Sequence, residues 1–108
     1  MSKVIDVEES DFIEMVLKSE VPVLVDFWSP SCAPCRLLGP VLDELAEENE
    51  EEFKFVKVNV YDAPRIGSQY GVDMLPTLLF FHEGRVVERM VGVQEKDKLQ
   101  ETLDEIDF

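Results

Sequence analysis

The chain has 108 residues, of which 10 are Lys or Arg and 24 are Asp or Glu, giving a net charge of −14 at 45% hydrophobic content. This length fits one domain spanning 1–108 with a packed core, and the charge repels both a phosphate backbone and anionic lipid, which disfavours nucleic acid and membrane surfaces as partners. Two cysteines and one histidine are too few for a disulfide scaffold or a full metal shell, and no apolar run reaches the roughly 20 residues of a spanning helix. In chain order, Val4-Ile5-Asp6-Val7 reads as a short strand. Phe12, Ile13, Val16 and Leu17 recur at helical spacing behind a start signal at Glu9 or Ser10. Residues 23–28 are apolar on both faces apart from Asp26, the pattern of a strand buried between two layers. Leu37, Leu38, Val41, Leu42 and Leu45 mark a helix that begins near Pro34 and is predicted to kink at Pro40. Residues 53–60 read as a strand and 64–70 as a short helix closed by Gly71, while 77–81 and 85–91 flank Glu83-Gly84, a hairpin signal. A last helix over 95–106 turns Leu99, Leu103 and Ile106 inward. Strands alternating with helices and closing on a hairpin predict an α/β fold with one mixed sheet covered on both faces. Phe12, Phe27, Phe53, Phe55, Phe80 and Phe81 are assigned to the core, His82 to the surface and Phe108 to a loose terminus. Seven carboxylates over 43–52 read as a solvated helix face.

The sharpest motif is Cys32-Ala33-Pro34-Cys35, where the buried strand ends and the next helix begins. Thiols at i and i+3 on a first helical turn share one side of the helix, close enough to bridge. Unpaired amides and the positive end of the helix dipole favour a thiolate at Cys32. Pro34 suits the first turn because its missing N–H is not needed there. Half a zinc site has the same spacing, but there is no second cysteine pair and His82 is remote, so the motif points to redox chemistry. Asp26 has two readings: a carboxylate buried in the central strand with a raised pKa, or a strand-end residue capping the next turn. Lys57 reads by itself as an exposed strand lysine. Pro76 reads as an ordinary strand-entry residue, a cis bond being rare.

Several segments together resemble thioredoxins. They are Val23-Leu24-Val25-Asp26-Phe27-Trp28, then Cys32-Ala33-Pro34-Cys35-Arg36 and Pro40, with Lys57, Leu75-Pro76-Thr77, Gly84 and Gly92 following in order. The resemblance covers nearly the whole chain. It implies a five-stranded mixed sheet flanked by four helices and a redox-active Cys32–Cys35 disulfide that reduces protein disulfides. It implies Cys32 as nucleophile, Cys35 as resolving thiol, Asp26 as a proton relay beneath the disulfide and Lys57 as the neighbour that modulates Asp26. It also turns Pro76 into a cis-proline. A substrate groove is then expected along Trp28, Ser31, Ala33, Pro34, Met74, Leu75, Pro76, Val91 and Gly92, with Leu75 offering backbone groups to an extended segment. The family usually carries Trp-Cys-Gly-Pro-Cys. Here Ser31 removes an exposed indole from the groove rim and Ala33 stiffens the first turn, changes that bear on partner choice more than on chemistry.

The resulting expectation is a cytoplasmic, monomeric protein-disulfide reductant without bound cofactor or metal. It would be recycled by a separate reductase of the kind that serves thioredoxins. Start residues Met1-Ser2-Lys3-Val4 lack a secretory pattern. An oxidant or isomerase of different potential, or a binding module that uses the groove without turnover, are the alternatives.

Overall fold

Strand β2 (Val23–Trp28) lies at the centre of the sheet because it is apolar on both faces and needs cover on both. The computed structural model describes residues 3–106, so Phe108 lies outside the described residues. β2 pairs in parallel with β3 (Lys54–Asn59), which pairs in parallel with β1 (Val4–Asp6). On its other side β2 runs antiparallel to β4 (Thr77–His82), and β4 antiparallel to β5 (Arg85–Val91). The order is β1-β3-β2-β4-β5, the five-stranded mixed sheet that the resemblance implied.

Alternation along β2 divides the core in two. Leu24 joins Leu78 and Phe80 of β4 and Phe55 of β3 under α1 (Ala33–Glu48) and α3 (Lys96–Ile106), which contribute Leu38, Leu42, Leu45, Leu99 and Leu103. Val23, Val25 and Phe27 face the opposite way, against Phe12, Val16 and the short helix α2 (Pro64–Gln69) with Ile66. On that face Phe81 meets Phe12 and Tyr70 edge-on, at centroid distances of 5.8 and 5.4 Å, the geometry that ring quadrupoles favour. All six phenylalanines assigned to the core are buried.

The first helical segment departs from the expected α-helix. A tight turn at Glu9–Asp11 leads into Ile13–Leu17, which is π-wound, with the Lys18 amide bonding the Ile13 carbonyl five residues back at 2.9 Å. Phe12 and Val16 are buried while Ile13 is 57% exposed. Leu37 of α1 is likewise exposed. Adjacent residues on a helix point roughly 100° apart, so Phe12 and Ile13, or Leu37 and Leu38, cannot both face one layer. The α-helix α1 continues through Pro40, whose missing N–H leaves the Arg36 carbonyl without its usual partner. His82, expected at the surface, is half-buried at the end of β4.

Two local devices close the fold. Glu83 and Gly84 both have positive φ, 53° and 79°, so the hairpin turns in the form whose twist matches its strands. A Cβ at Gly84 would also approach the Leu17 carbonyl oxygen to 3.1 Å, which leaves glycine as the unstrained choice. At the same end of the sheet, Asn49 caps α1. Its Nδ2 donates to the Leu45 carbonyl and to Gln100 Oε1, both at 2.8 Å, and its Oδ1 accepts from Gln100 Nε2 at 3.0 Å, tying α1 to α3.

Candidate active site

Cys32 and Cys35 are joined in a disulfide with their Cα atoms 5.3 Å apart. Cys32 is the N-cap of α1. It has extended backbone angles, its own amide donates to the Ser29 carbonyl at 3.2 Å, and its Sγ accepts from the Cys35 amide at 3.1 Å. A sulfur therefore occupies the place that a Ser or Asp oxygen takes at most helix starts, against amides that no intrahelical carbonyl satisfies. Cys32 is partly exposed and Cys35 is 3% exposed. Arg36 turns back to the loop, donating from Nη1 to the Pro30 carbonyl at 3.0 Å. Ser31, Ala33 and Pro34 are exposed around the sulfurs, and the Ser29 and Ser31 hydroxyls lie 3.3 Å apart.

Asp26 is 4% exposed, and its Oδ1 is buried without a hydrogen-bond partner. Burial pushes its carboxyl from an ordinary 3.8 up to about 7, with the Lys57 ammonium pulling the other way. The strand-end capping alternative is thereby excluded: Asp26 lies mid-strand, in register with Lys57 on one side and Leu78 on the other. Lys57 is half-buried rather than exposed. Its Nζ lies 3.9 Å from Asp6 Oδ1 and 5.1 Å from the centroid of the Trp28 ring. Trp28 is half-buried, with its indole N–H buried and unpartnered.

The remaining predicted residues gather at the same end of the sheet. Phe27, Thr77 and Val91 are successive partners across β2, β4 and β5, so the chain just beyond them, 28–35, 74–76 and 92, emerges at one edge. Leu75–Pro76 is a cis peptide, as the resemblance implied and contrary to the reading of Pro76 taken alone. The Gly92 amide, at a residue with φ of 92°, donates to the Pro76 carbonyl at 2.8 Å, and Thr77 Oγ1 donates to the Met74 carbonyl at 2.5 Å. Pro76 is buried and Leu75 half-buried, whereas Met74 and Val91 are 63% and 45% exposed. Met74 and Val91 thus stand exposed at the end of the sheet that carries the disulfide.

A model of the thioredoxin family matches residues 3–105. The chain belongs to the thioredoxin family. It is 47% identical over 104 residues to thioredoxin 1 of a Nostoc species, covering 96% of this chain and 97% of that protein. The thioredoxin of Haemophilus influenzae is 44% identical over 99 residues, covering 92% of each chain. The chloroplastic M-type thioredoxin of spinach is 43% identical over 104 residues, which are 96% of this chain and 58% of that longer protein. With its disulfide at the helix start, the chain is a thiol–disulfide oxidoreductase of the protein-disulfide-reducing kind. Thioredoxins act on disulfide substrates and are re-reduced by thioredoxin reductase. Among the described residues, no group of three or more His, Cys, Asp and Glu side chains is arranged to hold a metal, and no helix is long and apolar enough to cross a membrane.

Two residues escaped the sequence reading of this thioredoxin site. Arg89 on β5 donates from Nη1 to the Tyr70 carbonyl and from Nη2 to the Gly71 carbonyl, both at 2.7 Å. It pins the start of the segment that leads to cis-Pro76. Asp6 closes on Lys57. Both depend on which elements become neighbours, and no spacing within the sequence announces either.

Proposed function

We propose that Cys32 is the nucleophile, Cys35 the resolving thiol, Asp26 the proton relay and Lys57 the cation that modulates it. The partly exposed Cys32 next to the buried Cys35 at the start of α1, with the buried Asp26 in the strand that leads to them, is the observation that carries this reading. In the reduced protein the Cys32 thiolate attacks one sulfur of a substrate disulfide and expels the other sulfur as a thiolate, forming a mixed disulfide. Cys35 gives its proton to the Asp26 carboxylate and attacks Cys32 Sγ. The second substrate sulfur leaves as a thiolate, and Cys32–Cys35 remains oxidised. An Asp26 carboxyl that titrates near 7 suits a group that must accept and return a proton near neutral pH.

The groove along Trp28, Ser31, Ala33, Pro34, Met74, Leu75, Pro76, Val91 and Gly92 takes an extended substrate segment, with the Leu75 backbone pairing to it. Two electrons and two protons per cycle come from a separate thioredoxin reductase, so the chain needs no bound cofactor. Residues 1–108 act as one domain and as a monomer carrying electrons in the cytoplasm. Dithiothreitol-driven reduction of a model protein disulfide tests the activity. Cys35→Ser should accumulate substrate mixed disulfides and Cys32→Ser none, and the reverse pattern would overturn the assignment of the two thiols.

A further inference from the structure

We infer that Asp6 is a positioning residue for the proton relay, holding the Lys57 ammonium toward the edge of the sheet and away from Asp26. The inference rests on the reading of Asp26 as that relay. Asp6, Lys57 and Asp26 are partners in successive parallel strands, so all three side chains project to one face, in strands about 4.8 Å apart. One ammonium therefore stands between two carboxylates. Lys57 Nζ lies 3.9 Å from Asp6 Oδ1 and leans over the Trp28 ring, while Asp26 Oδ1 accepts no hydrogen bond.

The partner choice has a physical reason. The Asp6 side chain is 77% exposed and stays hydrated as an anion, whereas ionising the buried Asp26 carries a desolvation cost. Little else on this face competes. β4 and β5 place Leu78 and Met90 in the same row, with Glu88 a step further toward the hairpin. On α1, Cys35 is held in the disulfide, and Arg36 is engaged by the Pro30 carbonyl. Lys96 of α3 is engaged by Glu44 and Glu48. Lys57 is then the charge that acts on Asp26, and Asp6 governs how closely it does so.

The test is the titration of the Asp26 carboxyl carbon by NMR in the oxidised protein. It compares the parent with Asp6→Asn, Lys57→Met and the double variant. Asp6→Asn should lower the Asp26 midpoint by about 0.3–0.7 pH unit, as expected when a surface ion pair is released. Lys57→Met should raise that midpoint, and Asp6→Asn should do little once Lys57 is gone. Asp6→Glu should restore the parent titration, and the pH profile of disulfide reduction should follow the same order. If Lys57→Met shifts Asp26 but Asp6→Asn does not, or shifts it equally with and without Lys57, the role given to Asp6 is wrong. If Lys57→Met leaves Asp26 unmoved, the coupling of Lys57 to the relay fails first.

Discussion

At its start, α1 has no acidic residue in the first turn, and the Cys35 amide donates to Cys32 Sγ. At its end the same helix carries Glu44, Glu47 and Glu48 without a basic residue in its last turn, and Glu50, Glu51 and Glu52 follow. Helix dipoles are best complemented by acid at the start and base at the end, and α1 has neither. The difference separates two uses of one helix. The start is kept clear of carboxylates so that its amides serve a sulfur. The end tolerates acid because it is solvated and because α3 supplies Lys96, 2.8 Å from Glu48 and 3.7 Å from Glu44. Sixteen residues place the ends about 24 Å apart, well beyond the roughly 8 Å screening length at physiological salt.

The largest expected effect tests whether chemistry is confined to the start of α1. Cys32→Ser should lower disulfide turnover by roughly 10³-fold or more. Glu51→Gln with Glu52→Gln should change it by less than about twofold. A comparable loss from the acidic end would break the separation.

Beneath the same end lies Asp26, whose folded value of about 7 exceeds its ordinary 3.8. An unfolded chain releases this proton first, so the group favours the fold fully below about 4 and loses that contribution as pH rises through 7. The loss amounts to about 4 kcal/mol. Asp26→Asn should therefore stabilise the protein at pH 8, flatten its stability between pH 4 and 7, and slow resolution of the mixed disulfide. Denaturant melts across that range check the first two effects. An unchanged pH dependence would mean that burial does not govern Asp26.

A smaller effect should follow from placing acid where the helix start excludes it. Ala33→Glu should slow alkylation of reduced Cys32 at pH 7 and low salt by about twofold to fivefold, an amount matching one charge near a helix end. Glu47→Gln should leave the rate unchanged. The smallest concerns the far end, where Lys96→Gln should lower Tm slightly at low salt and by less as salt rises. A salt-independent loss would indicate packing of the lysine stem rather than charge.

The order of strands and helices was legible because each element carries its own period. Val23 to Trp28 announced a doubly covered strand, Glu83-Gly84 a hairpin, and Cys32-Ala33-Pro34-Cys35 a helix start bearing two thiols. The family resemblance extended that reading to Pro76, whose cis bond no local pattern reveals. Tertiary structure decided which of two adjacent apolar residues would be buried, Phe12 rather than Ile13 and Leu38 rather than Leu37. That choice depends on the layer a helix meets. It also decided that Lys57 would stand in one row with Asp6 and Asp26 and that Arg89 would hold the carbonyls of Tyr70 and Gly71. Periodicity records the face a residue occupies on its own element. Ion pairs and pKa values depend on the elements packed beside it, which only the assembled sheet determines.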